Sequence, residues 1–199
     1  PPGVQVHALV GADADAHVFE PRPADARRVA EADLVVVNGL GFEGWIDRLV
    51  LASGFRGPVV VASRDVPPRR VGPGVDPHAW QDLAHTRRYV VTLAVAFAER
   101  WPAQAALVHQ RAAAYDARLA QLDADVRRQL AVVPREQRRV ISSHDAFGYF
   151  GDAYGVDMLA VQGWNTHAEA SAAAVARLIR QIRQQNVRAL FVENISDPR

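Results

Sequence analysis

The sequence contains no cysteine and no lysine, and its single methionine is Met158. The missing cysteines exclude disulfides, thiolate nucleophiles, iron–sulfur clusters and cysteine-type zinc sites. All 23 basic side chains are arginines scattered along the chain, and the net charge is only +1. This distribution gives no electrostatic reason to expect a nucleic-acid partner. No apolar run approaches the roughly 18–20 residues that span a bilayer, so no transmembrane segment is predicted.

The remaining composition is that of an ordinary globular protein. Hydrophobic residues make up 49% and charged residues 23% of the 199 positions, which excludes general disorder. Residue 1 is a proline rather than the methionine that starts translation, so we expect that an N-terminal segment, such as a signal peptide, has been removed. At the other end the chain stops just after a strand-like segment, and we expect the domain to continue beyond it.

Short apolar segments alternate with segments of helical period. The apolar segments predict strands at 4–10, 34–37, 59–61, 139–143, 158–161 and 189–192. Helices are predicted at 23–32, 43–51, 82–100, 108–133, 147–154 and after Ser171, and residues 63–75 are predicted to form a loop. The helix at 108–133 would extend about 39 Å, either as a long core helix or as a link between lobes. The alternation predicts an α/β fold of two (β/α) lobes with mainly parallel sheets.

Residues 39–44, Gly-Leu-Gly-Phe-Glu-Gly, match the glycine pattern of a dinucleotide-binding turn and lie between a strand and a helix. Asp65, past the next strand, stands where such proteins place a ribose-binding acid. However, Glu43 brings negative charge to a helix N-terminus where a pyrophosphate needs positive potential. Phe42 and Trp45 add bulk beside the same backbone. We therefore favour a tight turn packed by aromatic rings, with a dinucleotide-binding enzyme as the alternative.

Three histidines stand at junctions between an apolar strand or turn and the helix that follows it. They are His17, His78 and His144. Ligands of open α/β sheets bind beyond the carboxyl ends of strands, and neutral imidazole is a common metal ligand. Acidic residues that can orient a ligating ring lie beside them at Asp13, Asp15, Glu20, Asp76 and Asp145. The spacing alone allows either one shared metal site or three unrelated roles.

The other four histidines give weaker indications. His7 is predicted to face outward from a strand, and His85 and His109 are predicted to be solvated on helices. His167 lies in a loop after a strand, where it can line the same cleft as the three junction histidines.

Four segments together resemble the metal-binding solute-binding proteins of bacterial ABC transporters, the zinc/manganese class. They are 15–45, 76–83 with its Asp-Pro-His-Ala-Trp block, 141–155 with its Ser-His-Asp-Ala-Phe block, and 190–199. The resemblance implies two lobes joined by one rigid helix, with the metal in the cleft between them. It places the N-terminal lobe at 1–103, the linking helix at 104–133 and an incomplete C-terminal lobe at 134–199. In this class the glycine-rich segment has no nucleotide role.

The resemblance also implies the metal ligands His17, His78 and His144, with a carboxylate as fourth ligand expected beyond Arg199. Three imidazoles and one carboxylate suit tetrahedral Zn²⁺, whereas Mn²⁺ prefers more oxygen ligands. Many zinc members carry a His-rich mobile loop before the Asp-Pro-His-Ala-Trp block, but residues 66–75 contain no histidine. We expect either a short loop in this chain or an insert absent from it.

The function implied by the resemblance is high-affinity capture of Zn²⁺ in the periplasm by an exported, monomeric protein that delivers the ion to an ABC-type membrane permease. This is binding rather than catalysis, because four protein ligands leave no open position at the metal for activating a substrate. A periplasmic zinc metallochaperone and a lipid anchor are compatible with that role. The alternatives are a manganese-specific member of the same class and a zinc hydrolase that uses the three histidines.

Overall fold

The computed structural model describes residues 2–162, together with 173, 176, 179, 180, 182, 189–191 and 193. Its α-helices are α1 Pro23–Ala30, α2 Ile46–Ser53, α3 Leu83–Arg100, α4 Ala105–Ala131 and α5 Gly148–Tyr154. Its strands are β1 Val35–Val37, β2 Val59–Val61, β3 Arg70–Val71, β4 Gly74–Val75, β5 Arg139–His144, β6 Asp157–Gln162 and β7 Ala189–Phe191. Every helix and strand predicted between 23 and 162 is present, with its ends displaced by three residues at most.

The first half of the chain builds a parallel pair of strands from valines. β1 and β2 run side by side, with Val35 opposite Val59 and Val37 opposite Val61. Valine favours this extended geometry because its branched side chain packs well on a pleated surface. Inward-facing side chains of β1 form a core with residues of α1 and α2: Val29, Val35, Val37, Trp45, Ile46 and Leu49. The loops after both strands therefore start on the same side of this small sheet.

Local sequence features set the helix ends. Pro23 occupies the first turn of α1, where its missing N–H costs nothing. Asp82 caps α3 by accepting a 2.8 Å hydrogen bond from the backbone N–H of Ala84. Gly54 ends α2 in the left-handed conformation at φ 72°. These features fix where α1 and α3 begin and where α2 ends.

Two predictions for the first half were wrong. Residues 4–10 do not form a strand: none of the described strands pairs with them, and Val6 is 87% exposed. Strand stability comes from cross-strand neighbours, which an apolar composition does not provide by itself. Residues 63–75 are not entirely loop, because β3 and β4 form a short antiparallel hairpin in which Val71 pairs with Gly74.

Helix α4 connects the two halves of the molecule. It contains 27 residues, which corresponds to about 40 Å. On one side the guanidinium of Arg87, in α3, donates to both carboxylate oxygens of Asp116 at 2.7 and 2.9 Å. Further along, Asp123 accepts a 2.8 Å hydrogen bond from the hydroxyl of Tyr154, in α5. Burial and the Asp123 carboxylate raise the pKa of Tyr154 to about 12, so it remains a donor. The long helix that the predicted fold class requires between the two halves is thus present.

The second half contains a parallel sheet with β5 at its centre. Its strand order is β6-β5-β7, and Ile141 of β5 lies opposite both Leu159 and Leu190. His144 is the last residue of β5, so its ring emerges at the carboxyl edge of the sheet. His167 and much of the helix predicted after Ser171 lie outside the described residues. Within the described part of the chain, no helix has the length and apolarity needed to cross a membrane.

Candidate metal centre

His17 is held in the loop before α1 by contacts on both sides of its backbone. Its own N–H donates to the carboxylate of Asp15 at 2.8 Å. The indole N–H of Trp45 donates to the carbonyl of Ala16, also at 2.8 Å. The imidazole packs edge-on against the ring of Phe42, with centroids 4.7 Å apart, and is only 6% exposed. The two aromatic residues that follow β1 therefore position this ring.

The glycine-rich turn after β1 is built around an internal carboxylate. Glu43 accepts hydrogen bonds from the backbone N–H groups of Asn38, at 2.6 Å, and of Gly39, at 3.2 Å. Gly39 has φ 86°, and a Cβ added to it would lie 2.5 Å from the Cγ1 of Val61, so no other residue fits there. Donors that a phosphate would need are already occupied by Glu43. The tight-turn interpretation agrees with this geometry, and the dinucleotide alternative does not.

His78 is oriented by the most deeply buried carboxylate in its surroundings. Asp76 has no exposed surface, and its Oδ1 lies 2.8 Å from the Nδ1 of His78 and accepts from its backbone N–H at 3.0 Å. A ring that donates from Nδ1 to a carboxylate presents the lone pair of Nε2 to a metal. Asn38 holds the preceding residue by donating from its amide to the carbonyl of Pro77 at 2.9 Å. The Nε2 of His78 consequently faces the cleft.

His144 is oriented by a carboxylate that lies just beyond the neighbouring strand, β7. Its Nδ1 lies 2.5 Å from Oε2 of Glu193, two residues after β7, and the hydroxyl of Ser143 donates to the same oxygen at 2.7 Å. Burial tends to raise the pKa of Glu193, but the hydrogen bonds from His144 and Ser143 outweigh it, so the pKa lies below its usual value. Glu193 is therefore an anion at neutral pH, and it directs the Nε2 of His144 into the cleft.

The three junction histidines meet. Nε2 of His78 lies 3.0 Å from Nε2 of His17 and 3.4 Å from Nε2 of His144. One ring nitrogen of each lies within 4.8 Å of the others, and all three residues are buried. Nitrogen ligands on a tetrahedral Zn²⁺ at about 2.05 Å are separated by about 3.3 Å. The separations around His78 therefore suit a common metal ion.

Sequence reasoning missed two parts of this arrangement. It offered Asp145 as the acid that orients His144, whereas the Nδ1 of His144 bonds Glu193, 49 positions away. The position of Glu193, just past an apolar strand, is the indication that was available. It also expected His85 to be solvated, but that side chain is 15% exposed and packs edge-on against Tyr149 with centroids 5.3 Å apart.

Replacing Glu193 with alanine is expected to weaken metal binding about 10- to 100-fold, the usual cost of losing a carboxylate that orients a ligating imidazole. Without it, the Nδ1 of His144 loses its acceptor and the ring can rotate. The measurement is the Zn²⁺ dissociation constant by competition with a chromophoric chelator. Glu136→Ala is the matched control, because Glu136 is exposed in the same half of the chain. Equal affinity of Glu193→Ala and the wild-type chain would contradict the orienting role.

Two α/β lobes, a helix that contacts both and a buried cluster of imidazoles between them define a class of two-lobed metal-binding proteins. The chain belongs to the family described as ZnuA, zinc-uptake complex component A, periplasmic, whose sequence model matches residues 2–199. The family predicted from the four sequence segments is thereby confirmed.

Relatives in this family are named for different metals. The chain is 35% identical to the manganese-binding lipoprotein MntA of Halalkalibacterium halodurans, over 89% of this chain and 59% of that protein. It is 33% identical to the zinc-binding protein TroA of Treponema pallidum, over 96% of this chain and 63% of that protein. The periplasmic zinc-binding TroA structure superposes with a TM-score of 0.91 at 31% identity, covering 95% of this chain and 70% of the other. The chain thus spans about three fifths of the length of these two relatives.

Proposed function

We propose that this chain captures Zn²⁺ outside the cytoplasmic membrane and delivers it to an ABC-type membrane permease. The observation that carries the proposal is the buried group of imidazole nitrogens from His17, His78 and His144. The first two ligands belong to a lobe at 1–103 and the third to a lobe at 134–199, with 104–133 as the linking helix. Relatives named as periplasmic proteins and as lipoproteins support the extracytoplasmic location.

The donor set favours zinc over manganese. Neutral imidazole suits Zn²⁺, and Mn²⁺ stands at the weak end of the divalent affinity order and prefers oxygen ligands. The described part of the site presents three nitrogen donors, with the carboxylates of Asp76 and Glu193 contacting the opposite nitrogens of two of the rings. Those carboxylates act on the rings rather than on the metal. Because relatives are named for both metals, the metal identity needs a direct competition experiment.

A receptor role is better supported than a catalytic one. The three histidines are between 2% and 6% exposed, so a substrate would have little access to an ion held by them. A hydrolytic zinc site instead keeps one coordination position open to water and substrate. The dinucleotide alternative is opposed by Glu43, which occupies the backbone donors of the glycine-rich turn.

The test is a competition titration of the metal-free chain. We expect Zn²⁺ to bind with a stoichiometry of one, and an equal concentration of Mn²⁺ to leave the bound Zn²⁺ in place. Bound metal is measured by elemental analysis after gel filtration, with a His17→Ala/His78→Ala/His144→Ala variant as the control that binds none. Preferential retention of Mn²⁺ would identify a manganese receptor. Ester hydrolysis that disappears on chelation would favour the hydrolase instead.

A further inference from the structure

Arg69 lies between the two halves of the molecule and contacts both. It directly precedes β3, and its Nη1 donates to Oδ2 of Asp76 at 3.2 Å, within the first half. Its Nε donates to Oδ2 of Asp152 at 2.8 Å, and its backbone N–H donates to the hydroxyl of Tyr149 at 2.7 Å. Both of these acceptors belong to α5, in the second half. The residue that directly precedes the β3–β4 hairpin thus contacts both lobes.

The contact with Asp76 leads directly to the metal centre. Asp76 uses Oδ1 for both nitrogen contacts to His78 and leaves Oδ2 for the guanidinium of Arg69. The hairpin reinforces this pairing, because the N–H of Asp76 donates to the carbonyl of Arg69 at 2.9 Å. A fully buried carboxylate needs a charged or hydrogen-bonding partner, since its desolvation is otherwise costly. Arg69 supplies the cationic partner, so the carboxylate keeps the rotamer that orients His78.

Gly148 provides the space in which the Arg69 guanidinium lies. A Cβ added to this glycine would be 2.2 Å from Nη1 and 2.4 Å from Cζ of Arg69, and 2.8 Å from Oδ2 of Asp76. Gly148 does not have a positive φ, so its backbone does not require glycine. The first residue of α5 is therefore small because the arginine passes against it. Nearby, Tyr149 of α5 packs with Val66 and Ala79 of the first half in a buried cluster.

We propose that Arg69 is a positioning residue that couples the orientation of His78 to the docking of α5, so that metal affinity depends on this contact between the lobes. The inference rests on the proposed metal-binding function. His78 and His144 reach the ion from opposite halves, and Arg69 holds those same halves together through Asp76 and Asp152. Metal and arginine thus favour the same arrangement of the lobes, and each strengthens the other.

The experiment compares Zn²⁺ dissociation constants of five variants of the full chain with that of the wild type. Arg69→Ala is expected to weaken binding about 10- to 100-fold, as for other groups that orient a ligating ring. Arg69→Lys should give an intermediate loss, because one ammonium cannot reproduce the planar fork. Asp152→Ala should cost only about two- to fivefold, since Asp152 is 69% exposed and its ion pair is screened.

Gly148→Ala is the sharpest variant, because alanine favours the helix but displaces the guanidinium. It should weaken Zn²⁺ binding about as much as Arg69→Ala, and it should lower the unfolding temperature of the metal-free chain by no more than Arg69→Ala does. Arg70→Ala, which removes the same charge from an exposed neighbour, is the matched control and should bind like the wild type.

The second readout is the visible absorption spectrum of the Co²⁺-substituted protein, which reports ligand geometry. We expect altered band positions or intensities in Arg69→Ala and Gly148→Ala and the wild-type spectrum in Arg70→Ala. Unchanged affinity and spectrum in the first two variants, with a lower unfolding temperature of Arg69→Ala, would reduce Arg69 to a structural role. That result would leave the proposed function intact. A wild-type chain that binds neither Zn²⁺ nor Co²⁺ would instead overturn the proposed function and this inference together.

Discussion

Replacing His78 with alanine is expected to weaken Zn²⁺ binding about a hundred- to a thousand-fold. Binding free energies of structural zinc sites are about 10–16 kcal/mol for four ligands, so one ligand contributes about 2.5–4 kcal/mol. His78 is central in the cluster, because its Nε2 lies 3.0 and 3.4 Å from the corresponding atoms of His17 and His144. Its loss removes the middle donor and leaves the two remaining rings without their common neighbour.

The measurement for His78→Ala is the dissociation constant by competition with a chelator of known affinity. The matched control is His109→Ala, because His109 is exposed on α4 and its removal is chemically the same change. We expect the control to bind Zn²⁺ like the wild-type chain. If both variants keep full affinity, the three-histidine centre is not the zinc site.

Saturation with Zn²⁺ is expected to raise the unfolding temperature by about 8–16 °C. A ligand that binds only the folded state and is present at a thousand times its dissociation constant adds about 4 kcal/mol of stability. For a chain of this size each kcal/mol shifts the midpoint by about 2–4 °C. The effect requires folding because the donors come from positions 17, 78 and 144, which only the native structure brings together.

Differential scanning calorimetry with and without Zn²⁺ measures this shift, and addition of EDTA should reverse it. The variant with alanine at all three histidine positions is the control, and its midpoint should not respond to the metal. A comparable rise in that variant would show that Zn²⁺ stabilises the fold from some other site.

The positions of the three histidines could be predicted because they depend on local features. His144 ends β5, and a parallel sheet brings the carboxyl ends of its strands to one edge. His17 follows no described strand and His78 follows the antiparallel β4, so these two were indicated by the short sequence blocks that contain them. The valine strands β1 and β2 and the long helix α4 could also be predicted, because the pattern that indicates each of them lies within one continuous segment. In contrast, residues 4–10 have the apolar pattern of a strand but no partner among the described strands. Pairing is a property of two segments, and one segment cannot reveal it.

The groups that orient the rings could not be read in the same way. Glu193 and His144 are 49 positions apart in the sequence. They come into contact only because β7 lies beside β5 in the sheet. Arg69 reaches Asp152 only because the hairpin folds against α5, across 83 positions. In the sequence, Arg69 is one arginine among 23. The candidate ligands are thus indicated by local sequence, whereas the groups that position them depend on tertiary structure.

The contacts made by α4 fix an angular relation between the lobes. Asp116, which binds Arg87 of the first half, and Asp123, which binds Tyr154 of the second, are seven positions apart. At 3.6 residues per turn they lie on nearly the same face of the helix, about 20° apart. Insertion of one residue between them would rotate one contact by about 100° relative to the other. The number of residues between Asp116 and Asp123 therefore determines how one lobe is rotated about the helix axis relative to the other. That rotation in turn determines whether His17 and His78 face His144.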